Sequence, residues 1–173
     1  MTGIEYQRLL IADDRDSLAD WLSSETWPFH ASESVSREQA LARIDGGDFS
    51  DARCSYWIVG RGQRLGLVRL LDLADLEDGD ALIDLRLALG ARGQEIGRQA
   101  LDWLTDLAFR EYPQLHRVAG TTRDDNLAMR AVFRHCGYAL EGRFREAWVG
   151  ADGARRDSLY FAILRGEWSS RRG

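Results

Sequence analysis

The period of apolar and polar positions changes several times along the chain, and each change marks an element. Residues 4–11 (IEYQRLLI) read as a first strand. Asp13 or Asp14 then offers an N-cap for a helix carrying Leu18, Ala19, Trp21 and Leu22. An irregular stretch, residues 23–36, holds the proline-broken aromatic group Trp27-Pro28-Phe29-His30. Ser36, with Gln39 three residues on, predicts a capping box for a second helix that stops at Gly46-Gly47. Residues 54–59 and 65–73 are strand-like and joined across Gly60-Arg61-Gly62-Gln63, which predicts a hairpin. An acidic linker, residues 75–80, leads into a mostly apolar fourth strand, residues 81–89. Apolar residues then recur at Ile96, Ala100, Leu104, Leu107 and Ala108, one face of an amphipathic helix. A strand at 116–121 follows, then a helix at about 125–136 with Met129, Val132, Phe133 and Cys136 on its buried face and Gly137 as its stop. Residues 138–149 and 158–164 form a last hairpin across Asp152-Gly153, and Arg165, Arg171 and Arg172 read as a solvated terminus.

Only the fourth strand, the helix after it and the fifth strand make a βαβ crossover. The rest is antiparallel, so the pattern predicts a mixed α/β sheet with helices on both faces. No repeat, low-complexity tract or linker divides the chain, which reads as one domain over 1–173.

A net charge of −5 argues against a nucleic-acid partner, which normally requires a basic face, and mildly favours a cationic one. Cys54 and Cys136 lie far apart and join no Cys/His cluster, so no metal site is indicated. Nothing resembles a signal peptide and no apolar run is long enough to span a bilayer, which points to the cytoplasm with no membrane partner.

The chemistry concentrates where the fourth strand meets its helix. Arg92-Gly93-Gln94-Glu95-Ile96-Gly97 makes a tight turn into a helix whose first N–H groups have no intrahelical acceptor. Those donors and the positive end of the dipole suit a phosphate; the plainer reading is a glycine-started, closely packed helix. Asp84 and Arg86 alternate onto one face of the fourth strand, as an internal ion pair or as a base acting through water with its neighbour. Glu141 is a second candidate base, or a ligand for a substrate ammonium.

The strand order with RGQEIG resembles the GNAT superfamily of N-acetyltransferases. The family motif there is Arg/Gln-x-x-Gly-x-Gly/Ala. A second block, DDNLAMRAVFRHCGYALEG, is similar to that family's Asn, helix, Gly-aromatic, Glu-Gly passage. FREAWVGADGARRDSLYFAIL resembles the branch with ribosomal-protein alanine and spermidine acetyltransferases. The resemblance implies a seven-stranded sheet splayed between strands 4 and 5 and acetyl-coenzyme A as co-substrate. It places pantetheine on the backbone of Leu87 and Leu89, with Asn126 bonded to it and Phe133 beside the thioester. The pyrophosphate falls on Arg92, Gly93 and the amides of Gln94, Glu95, Ile96, Gly97 and Arg98. Two positions depart from the family. Glu95 stands at the motif's first Gly, and Phe133 stands where many members carry a proton-donating Tyr.

In that family the segment between the first two helices covers the acceptor. Trp27, Phe29 and His30, with Glu25 and Glu33 alongside and Asp72, Asp75 and Glu77 at the same end, would then form an aromatic and acidic wall for a small cationic amine; core packing of the aromatics, a surface position for His30 and a solvated loop for the acids at 72–77 are the alternatives. The acceptor this suggests resembles that of aminoglycoside 2′-N-acetyltransferases of the kasugamycin-inactivating kind, with a protein N-terminus or a polyamine as the alternative and a non-catalytic acetyl-coenzyme A sensor as a third reading. A homodimer is left open.

Overall fold

Two apolar faces of one sheet need cover, and the helices divide between them. The computed structural model describes residues 3–50, 54–73 and 80–172. In chain order these form β1 (Ile4–Arg8), α1 (Ile11–Ser23), α2 (Arg37–Asp45), β2 (Cys54–Gly60), β3 (Gln63–Leu71) and β4 (Asp80–Leu87). Then come α3 (Ile96–Glu111), β5 (Arg117–Arg123), α4 (Leu127–His135), β6 (Ala139–Val149), β7 (Arg155–Leu164) and α5 (Arg165–Arg172). The seven-stranded sheet has the order β1-β2-β3-β4-β5-β7-β6. Only β4 and β5 are parallel, as the single crossover predicts.

Alternation along β2 and β3 sends Trp57 and Leu67 to one face and Ile58 and Val68 to the other. Leu18 and Leu22 of α1, Ala40 and Ile44 of α2, and the loop residue Trp27 cover the first face. The amphipathic stripe of α3 (Ile96, Ala100, Leu104, Ala108) and Phe133 of α4 cover the second. No helix among the described residues is long and apolar enough to cross a membrane.

Several boundaries differ from the sequence expectation for local reasons. β1 stops at Arg8, and α1 begins before the acidic pair, with Leu10 at the N-cap position. Asp14 caps from inside the helix, its carboxylate accepting the Leu10 N–H at 3.1 Å. The Ser36–Gln39 capping box forms as predicted, and the β2–β3 hairpin turns on Arg61 (φ 51°) and Gly62 (φ 74°). The linker at 75–80 falls mostly on residues 74–79, outside the described residues. The arginine-rich tail forms the helix α5, on which Arg171 and Arg172 are exposed as expected while Arg165 is not a free, solvated residue. Arg165 donates to the carbonyls of Phe109, Tyr112 and Leu115 at 2.6–2.8 Å, satisfying groups at and beyond the end of α3. Arg171 donates to His135 at the end of α4, and Arg172 pairs with Asp106.

What positions the site is the short life of the β4–β5 pairing. It covers Asp80↔Arg117, Ala81↔Val118 and Leu82↔Ala119, after which the strands part. The next residue of β5 is Gly120, which lies directly against Phe133 and Ile83. A Cβ there would stand 2.7 Å from Phe133 Cζ and 2.9 Å from Ile83 Cγ1. Phe133 is fully buried and stacks on Phe161 at 4.8 Å, so its ring has little room to give. Ring and isoleucine act as a wedge at the fork of the sheet. Gly120→Ala should therefore destabilise the fold by about 1–3 kcal/mol through overpacking, read as a lower urea midpoint at unchanged m-value.

Candidate active site

Beyond Leu82 the side of β4 that faced β5 is free, and a cavity of about 340 Å³ fills the opening. Leu85 and Leu87 of β4, Gly97 of α3, Met129 and Val132 of α4, and the Trp27–His30 loop line it. Met129 and Val132, predicted as core, therefore face this space while Phe133 on the same helix is sealed behind them. Phe133 consequently does not reach the cavity, which corrects its expected place beside a thioester.

The turn into α3 has the geometry of an anion cradle. Gly93 (φ 73°) and Glu95 (φ 64°) both adopt the left-handed conformation, and Glu95 occupies the N-cap of α3. The helical ladder begins with the Gln99 N–H on the Glu95 carbonyl at 3.1 Å, so the N–H groups of the preceding turn have no acceptor within the helix. Arg92 and Arg98 line the cavity beside them. Glu95, which also lines the cavity, has an exposed carboxylate that accepts from Arg98 Nε at 2.7 Å. Gln94 folds its amide back onto the Gly90 carbonyl at 2.6 Å, and the Ile96 side chain enters the core. A Cβ on Gly97 would meet only ordinary contacts, the nearest Leu87 at 3.5 Å, so this glycine keeps the cavity floor open rather than relieving a clash.

Other expected coenzyme contacts are already engaged. The Leu87 carbonyl accepts from Arg92 Nε at 3.0 Å, and the Leu89 N–H donates to Glu25 at 3.1 Å. The Leu89 side chain is 67% exposed and lies outside the cavity wall. Asn126 does line the cavity, as the N-cap of α4; it accepts from the Met129 N–H at 3.2 Å and donates to Thr122 at 3.0 Å.

The Trp27–His30 loop lies across the fork and is tied to both of its lips. On the β4 side Arg92 Nη2 donates to the Thr26 carbonyl at 2.7 Å, alongside the Glu25–Leu89 bond. On the β5 side Arg123 donates to the Pro28 carbonyl at 3.0 Å and lies over the Phe29 ring. Trp27 is 1% exposed and anchored by its indole N–H on the Leu22 carbonyl at 2.9 Å. The acidic wall expected here does not form among the described residues. Glu33 is exposed and outside the cavity wall; its carbonyl accepts from the Trp27 N–H, and its charge acts on Arg123. Asp72 is exposed and outside the cavity wall, and Asp75 and Glu77 lie outside the described residues. Glu141 pairs with Arg117, which is level with the first β4–β5 pair and so at the closed end of the fork. The structure therefore separates Glu141 from the cavity.

Asp84 lies under the loop at the centre of a buried charge cluster. It accepts from Arg69 Nε at 3.0 Å, from Arg69 Nη2, and from Arg86 Nε at 3.2 Å, all on one oxygen. Its other oxygen faces His30 Nδ1 at 3.5 Å. Burial pushes the Asp84 carboxyl up, but Arg86, Arg69 and His30 together outweigh it and hold the group well below the usual carboxylate range. His30 is pushed down to about 4, chiefly by burial; Asp84 opposes this, while Arg86, Arg69 and Arg92 add to it. At neutral pH the cluster thus holds an ionised Asp84 and a neutral His30 that lines the cavity. Arg69 and Arg123 were not singled out from sequence, whereas Glu25, expected in the acidic wall, instead accepts from the Leu89 N–H. Arginines spaced along strands look like solvent-face residues, and only the register Arg69↔Asp84 brings the first of them inward.

The sheet, the fork and the cradle define a class, and the comparisons agree. The family model described as Acetyltransferase (GNAT) domain matches residues 7–139, and the chain belongs to that family of acetyltransferases. Acetyl-coenzyme A is the co-substrate that this membership implies. No protein of curated function matches the chain significantly in sequence. Among solved structures the chain is similar to RimL, a ribosomal-protein α-N-acetyltransferase in complex with coenzyme A. That match has a TM-score of 0.81 at 20% identity, covering 95% of both chains. It is also similar to a mutant form of the spermidine/spermine N-acetyltransferase SpeG from Vibrio cholerae, with a TM-score of 0.80 at 16% identity over 98% of both chains.

Two outcomes follow from this geometry. Glu95→Gly should stabilise the protein by about 1 kcal/mol, because the left-handed N-cap strains any side chain and the helix-interior cost of glycine does not apply there. Thermal melting checks this, and loss of stability would show that the Glu95–Arg98 pair outweighs the strain. Because His30 is neutral when folded, the unfolded chain binds more protons between about 6.5 and about 4. The stability that His30 contributes should be complete above pH 6.5 and fall as the pH drops to about 4, by up to about 3 kcal/mol. Denaturant titration across that window should show a shallower slope for His30→Gln.

Proposed function

We propose that the protein transfers the acetyl group of acetyl-coenzyme A to the primary amine of a small acceptor held beneath the Trp27–His30 loop. The observation that carries this reading is the loop's attachment to both lips of the fork, through Arg92 and Glu25 on one side and Arg123 on the other. A cover fastened on two sides suits a compact acceptor. An aminoglycoside of the kasugamycin-inactivating kind is compact too, but it receives less support, because the acidic wall that a polycation would meet is missing among the described residues. A second reading, an α-amine at a protein N-terminus, is supported by the chain-wide structural likeness to RimL. Polyamines, the acceptor printed for SpeG, receive less support, because the acidic wall they would need is missing among the described residues.

Acetyl-coenzyme A supplies an acetyl group activated as a thioester. In the proposed arrangement the free amides at residues 94–98, with Arg92 and Arg98, hold its pyrophosphate at the positive end of α3. Leu85, Leu87, Met129 and Val132 keep water from the chain that follows. His30 is the proton acceptor in this reading, because it is the neutral base that lines the cavity, whereas both oxygens of Asp84 are engaged by Arg69, Arg86 and His30. The attacking nitrogen becomes far more acidic as its new bond forms, so a neutral imidazole suffices. Asp84 orients that imidazole and offsets its positive charge. No tyrosine at position 133 is needed, since a thiol with a pKa near ~8.5 leaves readily without a donor.

A mass-shift screen of small amines, peptides and spermidine with acetyl-coenzyme A tests the reading. Acetylation of small amines is expected; acetylation of peptides alone would establish the second reading. His30→Gln should lower kcat by roughly 10²–10⁴-fold with little change in the KM for acetyl-coenzyme A. An unaffected kcat would remove His30 from the reaction.

A further inference from the structure

The cluster under the loop has one more positive charge than it can use internally. Arg69 is fully committed: two of its nitrogens bind Asp84, Nη1 donates to the Asp48 carbonyl at 2.7 Å, and its guanidinium lies over the Phe49 ring. Arg86 is not. Its Nε shares the Asp84 oxygen that Arg69 already holds, and neither terminal nitrogen has an acceptor among the described residues. The side chain is nevertheless only 7% exposed. Its guanidinium carbon stands 5.7 Å from the Trp27 ring, which forms part of the cavity wall together with His30. His30, facing the same carboxylate, is neutral, and among the described residues Asp84 is the one carboxylate that pairs with Arg69 or Arg86, so two guanidiniums stand against it; the neighbouring Arg43 is matched by Asp48.

The terminal nitrogens of Arg86 are not among the sealed, unpartnered polar atoms of the described residues, so the fork is open to a ligand, and its planar geometry matches a carboxylate in two parallel hydrogen bonds. Among the described residues, the acids that could have filled it lie elsewhere. Glu33 and Asp72 are exposed, and Glu95 is paired with Arg98. Strand alternation places Asp84 and Arg86 on the loop side of β4, with Leu85 and Leu87 on the side of α3 and α4; His30, which faces Asp84, also lines the cavity that Leu85 and Leu87 border. Arg86 stands behind the part of the wall that Trp27 and His30 form, so an acceptor under the loop would reach it past His30, with the coenzyme cavity on its other side.

We infer that the acceptor is a zwitterionic amine, a small molecule carrying a carboxylate along with the reacting amine, and that Arg86 receives that carboxylate. This rests on the small-acceptor reading above and narrows it. A polycation would bring further positive charge into a region already in excess, whereas an amino-carboxylate cancels it.

The test uses ω-amino acids of increasing length, each paired with its own carboxamide, and spermidine as a polycation. Binding is read as the rise in melting temperature of the protein with coenzyme A present, and turnover as thiol release from acetyl-coenzyme A. For at least one chain length, the acid should raise Tm more than its amide and show a KM lower by about tenfold or more. Arg86→Gln should abolish the difference between acid and amide, and Arg86→Lys should restore part of it. Equal behaviour of each acid and its amide in the unaltered protein, stronger binding of spermidine, or no binding by any acid would overturn the inference. So would an Arg86→Gln protein that weakens acid and amide alike. Should Arg86→Gln fail to fold, the comparison in the unaltered protein still decides. Acids that outbind their amides without any turnover would refute the transferase reading while upholding the subsite.

Discussion

The early end of the β4–β5 pairing is the constraint on which the site depends. Three register pairs hold the strands together, and then Gly120, Ile83 and the ring of Phe133 occupy the place where a fourth pair would form. The wedge is stiff because Phe133 is sealed from solvent and stacked on Phe161 of β7. A parallel sheet normally hides all of its backbone polar groups in the ladder. Here one strand edge is left open beside a helix start with its own free amides, and both face one cavity. The chemistry of the family follows from that coincidence more than from any single side chain.

Much of this was legible because it rests on local rules. The Ser36–Gln39 box, the Gly60–Gln63 hairpin and the stripe of α3 each need only a few neighbouring residues, and each formed as predicted. The errors arose where a distant partner decides. Arg165 looks like a tail residue until the carbonyls of Phe109, Tyr112 and Leu115 are seen beneath it. Phe133 and Met129 read as one buried face, but four residues of helix are enough to put one behind the wedge and the other in the cavity. Glu141 seemed a candidate by its spacing after Gly137, and register alone places it at the closed end with Arg117. Charge counting also misled: the whole chain is acidic at −5, while the buried cluster under the loop is basic.

The loop between α1 and α2 shows how a segment without regular structure can still be well defined. Its cover of the fork depends on side chains from other elements reaching its carbonyls, and on Trp27 as an internal anchor. Glu95 is the complementary case. Local strain at a left-handed N-cap is kept where glycine would be free of it, and its exposed carboxylate accepts from Arg98.

The strand order carries a consequence for the order of assembly. β7 lies between β5 and β6, so β6 has no sheet to join until residues made after it have arrived. β1 to β4, with α1 and α2, can associate through antiparallel neighbours as they leave the ribosome. The other half cannot, and it includes Phe161, against which the wedge ring rests. During synthesis the open fork is therefore among the last features to become rigid, and an emerging chain passes through a stage with a long unpaired β6 edge that carries exposed Leu140 and Phe144.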